Sequence, residues 1–216
     1  MEVYTTEEQQ VEVIKEWWKE NGTSVIAGTV IGLVGLFGWR YYNQYQQQTM
    51  EASSHAYNQV ITQLAKGDAA GFEQAAQFVS TNKGDSYGEL AALQLAAAAV
   101  KAGKLDLAAE QLTQVATSGD ESIRPIAALR LARVLNDQGK ADDALVQLGK
   151  INSDAFKAQV AEVRGDILQK QGKIEEARDA YQAAADAGGL QGSQELKLKM
   201  DDLALPAMTT GEAPDA

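Results

Sequence analysis

One histidine, a few acidic pairs and a glycine-rich run are the residues of this chain whose types could do chemistry. His55 has no acid or nucleophile at a motif spacing, and general-base work needs a positioned partner, so it reads as a surface histidine. Asp142-Asp143 and Glu175-Glu176 could be read as metal ligands. Adjacent helical residues point apart, however, and no third ligand is near in sequence; carboxylates at the start of a helix answer its dipole instead. The glycines between Gly22 and Gly38 are not a phosphate loop, because no strand precedes them and no Lys-Ser/Thr follows. There is no cysteine, which removes disulfides, thiolate catalysis and zinc-finger chemistry. The sequence therefore offers no catalytic residue, no cofactor site and no metal site, and the elements that such residues would have sat on become the subject.

The glycine-rich run is the first of them. From Gly22 to Trp39 there is no charged residue, with Glu20 before and Arg40 after. That is the length needed to cross a bilayer. Trp17 and Trp18 stand at one edge and Trp39, Tyr41, Tyr42 and Tyr45 at the other, as rings seated at two interfaces would. Trp18 and Trp39 lie about 32 Å apart along a helix at ~1.5 Å per residue. A cleaved signal peptide does not fit, since the run begins behind an acidic leader and ends in Trp-Arg-Tyr-Tyr. Gly28, Gly32 and Gly35 fall at three- and four-residue spacings that permit close approach by another membrane helix, although glycine is also common in spanning helices generally. Lys15, Lys19 and the amino terminus precede the span, whereas Arg40 stands alone after it until Lys66. This bias places the N-terminus in the cytoplasm and the bulk of the chain outside it.

The expected organisation is a cytoplasmic leader over 1–21, a transmembrane helix over 22–42, an extracytoplasmic domain over 43–205 and a disordered tail over 206–216. The leader reads as a short helix over 6–20, opened by a Thr6/Gln9 capping box and carrying Val11, Ile14 and Trp18 on one face. After the span, the polar, uncharged Asn43 to Gln48 continues into a helical stretch through about Lys66, which Gly67-Asp68 ends. The span makes membrane lipid an expected neighbour, and a net charge of −11 with no compensating basic stripe makes nucleic acid an unexpected one.

The large domain is repetitive. Three units begin at Glu89, Pro125 and Ala158, each a helix, a Gly-Lys turn (Gly103, Gly139, Gly172) and a second helix. A small residue recurs in the first helix (Ala96, Ala132, Gly165), an alanine in the second (Ala108, Ala144, Ala177), and a large apolar residue one turn later (Leu112, Leu148, Tyr181). Antiparallel helices approach closely only where both present small side chains, and the large residue fills the gap between neighbouring hairpins. The pattern resembles the tetratricopeptide repeat without its early Trp, replaced here by Ala92, Ala128 and Ala161, and without its closing Pro. Residues 49–83 read as a fourth, degenerate hairpin with GFEQAAQFV as its second helix. Gln191 to Leu205, with Leu196, Leu198, Met200 and Leu203, reads as a capping helix. The fold class is thus all-α, one transmembrane helix followed by a solenoid of helical hairpins with a C-terminal cap.

Stacked hairpins present a concave surface, lined in the tetratricopeptide arrangement by first-helix side chains. The first unit contributes Leu90, Leu93, Ala97 and Val100, and the second Ile126, Leu129, Arg133 and Asn136. The third contributes Glu162, Asp166 and Gln169. Leu90 and Leu93 have two readings, contact with a partner and packing into the core against the degenerate hairpin. Tetratricopeptide domains that grip a terminal carboxylate use Lys and Asn on this surface, whereas Leu93 and Leu129 stand here, so that mode does not fit.

EVIKEWWKENG in the leader, GWRYYN at the end of the span, and LRLARVL and GKIEEARDAY in the repeats together resemble the YfgM family over nearly the whole chain. The resemblance implies an inner-membrane protein with a periplasmic tetratricopeptide-like domain, acting as an ancillary subunit of the SecYEG translocon beside the periplasmic chaperone PpiD. Emerging client proteins are the other expected partners. A scaffold for a division or wall-synthesis complex is the alternative of a different kind.

Overall fold

The computed structural model describes residues 7–203, and among them every regular element is helical. The chain forms two compact units, residues 1–55 and 56–216. The Thr6 half of the expected capping box and the tail over 206–216 lie outside the described residues.

The first unit is the greater part of α1 (Glu7–Leu64). Leader, span and the segment after it are one continuous helix, whereas the sequence reads the leader over 6–20 as a short helix of its own. Asn21-Gly22 does not break it. Gly22 is buried beneath the Trp18 indole, within 3.3 Å of where a Cβ would sit, and the Asn21 side-chain amide donates to the Trp17 carbonyl at 3.1 Å. Local side-chain cover thus offsets the ~1 kcal/mol that a mid-helix glycine costs. Along the span, Val25, Ile26, Val30, Ile31, Leu33, Val34, Leu36 and Phe37 are all exposed. Apolar surface on that scale is tolerated in lipid and costly in water, at ~25 cal/mol per Å². Among the described residues this is the one helix long and apolar enough to cross a membrane, and it lies near the N-terminus.

The second unit pairs the last turns of α1 with α2 (Ala69–Thr81), then α3 (Ser86–Lys101) with α4 (Leu105–Ser118). Next come α5 (Arg124–Asp137) with α6 (Ala141–Gly149), and α7 (Lys157–Lys170) with α8 (Ile174–Asp186). The final helix is α9 (Gln194–Asp202). The three Gly-Lys turns are built alike. Gly103, Gly139 and Gly172 have φ of 70°, 77° and 76°, and the following lysine donates its backbone N–H to Ala99, Leu135 or Leu168 at 2.8, 2.9 and 3.0 Å. Such a left-handed residue ends a helix while satisfying its last carbonyls, and a Cβ there would be strained.

The small residues lie where the hairpins cross. Ala96, Ala132, Ala108, Ala144 and Ala177 are at most 2% exposed. Gly165 lies against the Tyr181 ring, which occupies the space that a Cβ would need. Leu112, Leu148 and Tyr181 are fully or almost fully buried between successive hairpins. The degenerate hairpin is real: Leu64, Phe72, Ala75 and Val79 join Ala91, Leu95, Leu112 and Val115 in one apolar cluster. The cap is shorter than its sequence pattern, and only part of the pattern turns inward. Leu196 is buried and Leu203 nearly so, but Leu198 is 68% exposed, because a nine-residue helix buries one narrow stripe.

Candidate interaction surface

The first helices α5 and α7 pack side by side, and α3 and α5 share one apolar cluster, so their outer side chains follow one another along the solenoid. Lys170 of α7 donates to the Asn136 carbonyl of α5 at 2.8 Å, and Lys199 of α9 reaches Glu162 and Asp166 of α7 at 3.0 and 2.8 Å. Leu90, Ala97, Val100 and Arg133 are exposed on this surface, and Ile126, Asn136, Asp166 and Gln169 are half-buried. Leu93, Leu129 and Glu162, which occupy the same place in their three helices, turn inward and are buried. The side chains open to a partner are therefore fewer than the first-helix pattern names, and for Leu93 the core reading holds.

At its C-terminal end the surface is closed by a charge cluster. Lys199 Nζ lies within 3.0 Å of Glu162, Asp166 and Glu195 carboxylate oxygens. The Tyr181 hydroxyl donates to Asp166 Oδ1 at 2.8 Å and lies 2.9 Å from the Gln169 side-chain amide oxygen. Burial and then the Asp166 hydrogen bond push the Tyr181 phenol above its ordinary range. Burial would lower Lys199, but hydrogen bonds to Asp166, Glu195 and Glu162 outweigh it and hold the ammonium well above the usual lysine range. A hydrogen bond from Lys199, then its charge, holds Glu195 below the usual carboxylate range, with Arg133 of α5 adding a smaller pull. Of the expected surface residues, Glu162, Asp166 and Gln169 are thus brought together, but with the chain's own α9.

At the other end the surface is open. A cleft of about 450 Å³ lies between Ile61 and Leu64 of α1, Ala65 in the turn after it, Phe72 of α2 and the alanine-rich face of α3 that carries Ala97. A larger cleft, about 760 Å³, opens between the α4–α5 and α6–α7 connections, over Pro125, Ala128, Ile151 and Phe156. It exists because α6, at nine residues against fourteen for α4, stops early. Its rim mixes Glu121 with Arg124 and Lys150, so it selects no one charge.

Along the anchor, a Cβ added at Gly28, Gly32 or Gly35 would meet nothing within 4 Å, so that face is unoccupied among the described residues. No cluster of His, Cys, Asp or Glu able to hold a metal occurs among the described residues. His55 is exposed on α1.

A single apolar anchor joined to a solenoid of helical hairpins defines a membrane-anchored, tetratricopeptide-like repeat protein. A tetratricopeptide repeat-like domain family matches residues 15–205. Three curated relatives are each called an ancillary SecYEG translocon subunit. The protein of Escherichia coli strain K12 is 35% identical over 95% of this chain and 100% of its own length. That of Haemophilus influenzae is 32% identical over 91% and 97%, and that of Aggregatibacter actinomycetemcomitans 35% over 91% and 97%. The chain belongs to this family, the YfgM family, as the leader, span and repeat motifs suggest. No solved structure matches it significantly. The relatives are named as subunits of a translocon and not for a reaction.

Proposed function

We propose that this chain is an ancillary subunit of the SecYEG translocon whose first-helix surface binds proteins at the outer face of the inner membrane. The observation that carries this reading is the pairing of one membrane-length helix with an extended, partly open repeat surface in a chain 35% identical to a translocon subunit over its full length. In this reading residues 1–21 are cytoplasmic, 22–42 span, 43–205 are periplasmic and 206–216 form a tail. Lys15 and Lys19 on the inner side of the span support that orientation. The anchor raises the local concentration of the binding surface where translocated segments emerge. PpiD or the emerging clients are the proteins bound, and Gly28, Gly32 and Gly35 form the face that meets a membrane helix of the translocon.

The absence of cysteine makes the test direct. Single cysteines at Thr5 and Asn136, in intact inner membranes, should label from the cytoplasmic and periplasmic sides respectively. A tagged chain extracted in mild detergent should bring SecYEG with it. Labelling of Thr5 from the periplasm overturns the orientation. Recovery of division or wall-synthesis enzymes without translocon subunits overturns the assignment.

A further inference from the structure

The last turns of α1 and the facing side of α3 do not close on each other, and the cause is legible in the repeat register. Ala97 and Ala98 of α3 correspond to Arg133 and Val134 of α5 and to Asp166 and Ile167 of α7. Val134 and Ile167 are 5% and 0% exposed, filling the space beside their neighbours, whereas an alanine at position 98 leaves it open. The cleft that results has Ile61, Leu64 and Phe72 for walls and the two alanines for a floor.

Its charge is as distinctive as its shape. Lys101 is the one charged residue lining it, in a chain of net charge −11. The equivalent lysine of the third hairpin, Lys170, is answered by the Asn136 carbonyl at 2.8 Å and by Asp137 at 3.5 Å. The matching end of α1 and the turn after it offer Leu64 and Ala65, neither of which carries an acid, and Lys101 has no ion pair among the described residues. A second ammonium, Lys104, sits 3.8 Å from the centroid of the Phe72 ring. Apolar walls with the Lys101 ammonium, free of any ion pair among the described residues, at the rim are complementary to an apolar side chain accompanied by a carboxylate.

We propose that this cleft is the anchor point for a partner protein segment that presents a large apolar side chain and, within one helical turn of it, an aspartate or glutamate. The proposal rests on the reading of the first-helix surface as a protein-binding site and names the chemistry that it selects.

The test uses the full-length chain in detergent and a labelled amphipathic helical peptide, with leucines along one face and a glutamate one turn after each. Its twin carries lysines for the glutamates. The acidic peptide should bind and the basic one should not. Lys101→Glu should weaken the acidic peptide about tenfold and let the basic twin bind, a charge swap that general unfolding cannot mimic. Ala97→Leu, which fills the cleft from an exposed position, should weaken the acidic peptide by about tenfold or more. Equal binding of both peptides, or no effect of either substitution, overturns the proposal. If binding then depends on Arg133 and Asn136 instead, the surface still binds proteins but not through this cleft. If no peptide binds and no native partner cross-links anywhere on the surface, the broader reading falls as well. Removal of residues 206–216 should leave the affinity unchanged; a severalfold gain would make the chain's own tail the occupant and overturn the proposal. Conversion of a dimer to a monomer by Ala97→Leu would assign the cleft to a second copy and do the same.

Discussion

At one end of the first-helix surface, Lys199 gathers three carboxylates and fastens α9 across the third hairpin. At the other, Lys101 lines an alanine-floored cleft and has no ion pair among the described residues. Both ends are built from the same repeat, with the same turn and the same small residues at the helix crossing. They differ in what occupies three positions of the first helix. Where those are Glu162, Asp166 and Ile167, the chain covers its own surface; where they are Leu93, Ala97 and Ala98, it leaves room. A repeat protein can thus hold its scaffold constant and assign capping to one end and recognition to the other.

The contrast is broken most severely by removing the side chain that holds the closed end together. Tyr181→Ala should cost about 4 kcal/mol, by cavity formation and by stranding Asp166 and Gln169, as read by urea unfolding of the full chain in detergent. Lys199→Met is milder, at about 2 kcal/mol, since Glu162 and Asp166 are left without their cation in a partly buried site. Hydrogen exchange should show the loss concentrated in α9. Lys101→Met, the same change at the open end, should move stability by less than about 0.5 kcal/mol. A comparable loss from both lysines would erase the distinction between the ends.

Acid probes the closed end with a smaller effect. Glu195 titrates below its ordinary 4.5 in the folded chain, so its contribution is present above that value and is lost as pH falls through the lower folded one. Lys199 titrates above its ordinary 10.5, so its contribution is complete below that value and fades only at stronger alkalinity. Exchange protection of α9 should therefore be flat from about pH 5 to about pH 10 and should loosen first in acid. A small gain is expected of Ala98→Val, which gives α3 the residue that α5 has. It should stabilise the chain by about 0.5 kcal/mol, burial of two methyl groups outweighing a slightly poorer helix propensity, while narrowing the cleft.

The scaffold was legible because its signals are local and repeated. Ala96, Ala132 and Gly165 announce the crossings, and the three Gly-Lys turns announce the hairpins, within windows that a single sequence displays. The charge cluster was not. Lys199 meets Glu162 across 37 residues, and with 30 acidic residues in the chain nothing in the order of the sequence selects which of them it meets. The continuity of α1 was not legible, because the leader over 6–20 reads as a short helix of its own; the Trp18 ring covers Gly22 where leader and span join. The open cleft lies between these cases. Ala97 was visible as a first-helix surface residue, but the vacancy beside it appears only when Ala98 is set against Val134 and Ile167 in register.

The central claim is that partners meet the first-helix surface at its open end. Single cysteines at Ala97 on α3 and at Val146, exposed on the second helix of its hairpin, would carry a photo-activated cross-linker in intact membranes during active translocation. Adducts to translocon subunits, PpiD or emerging chains should form from position 97 and be absent or weak from position 146. Adducts from position 146 with none from position 97 would contradict the account.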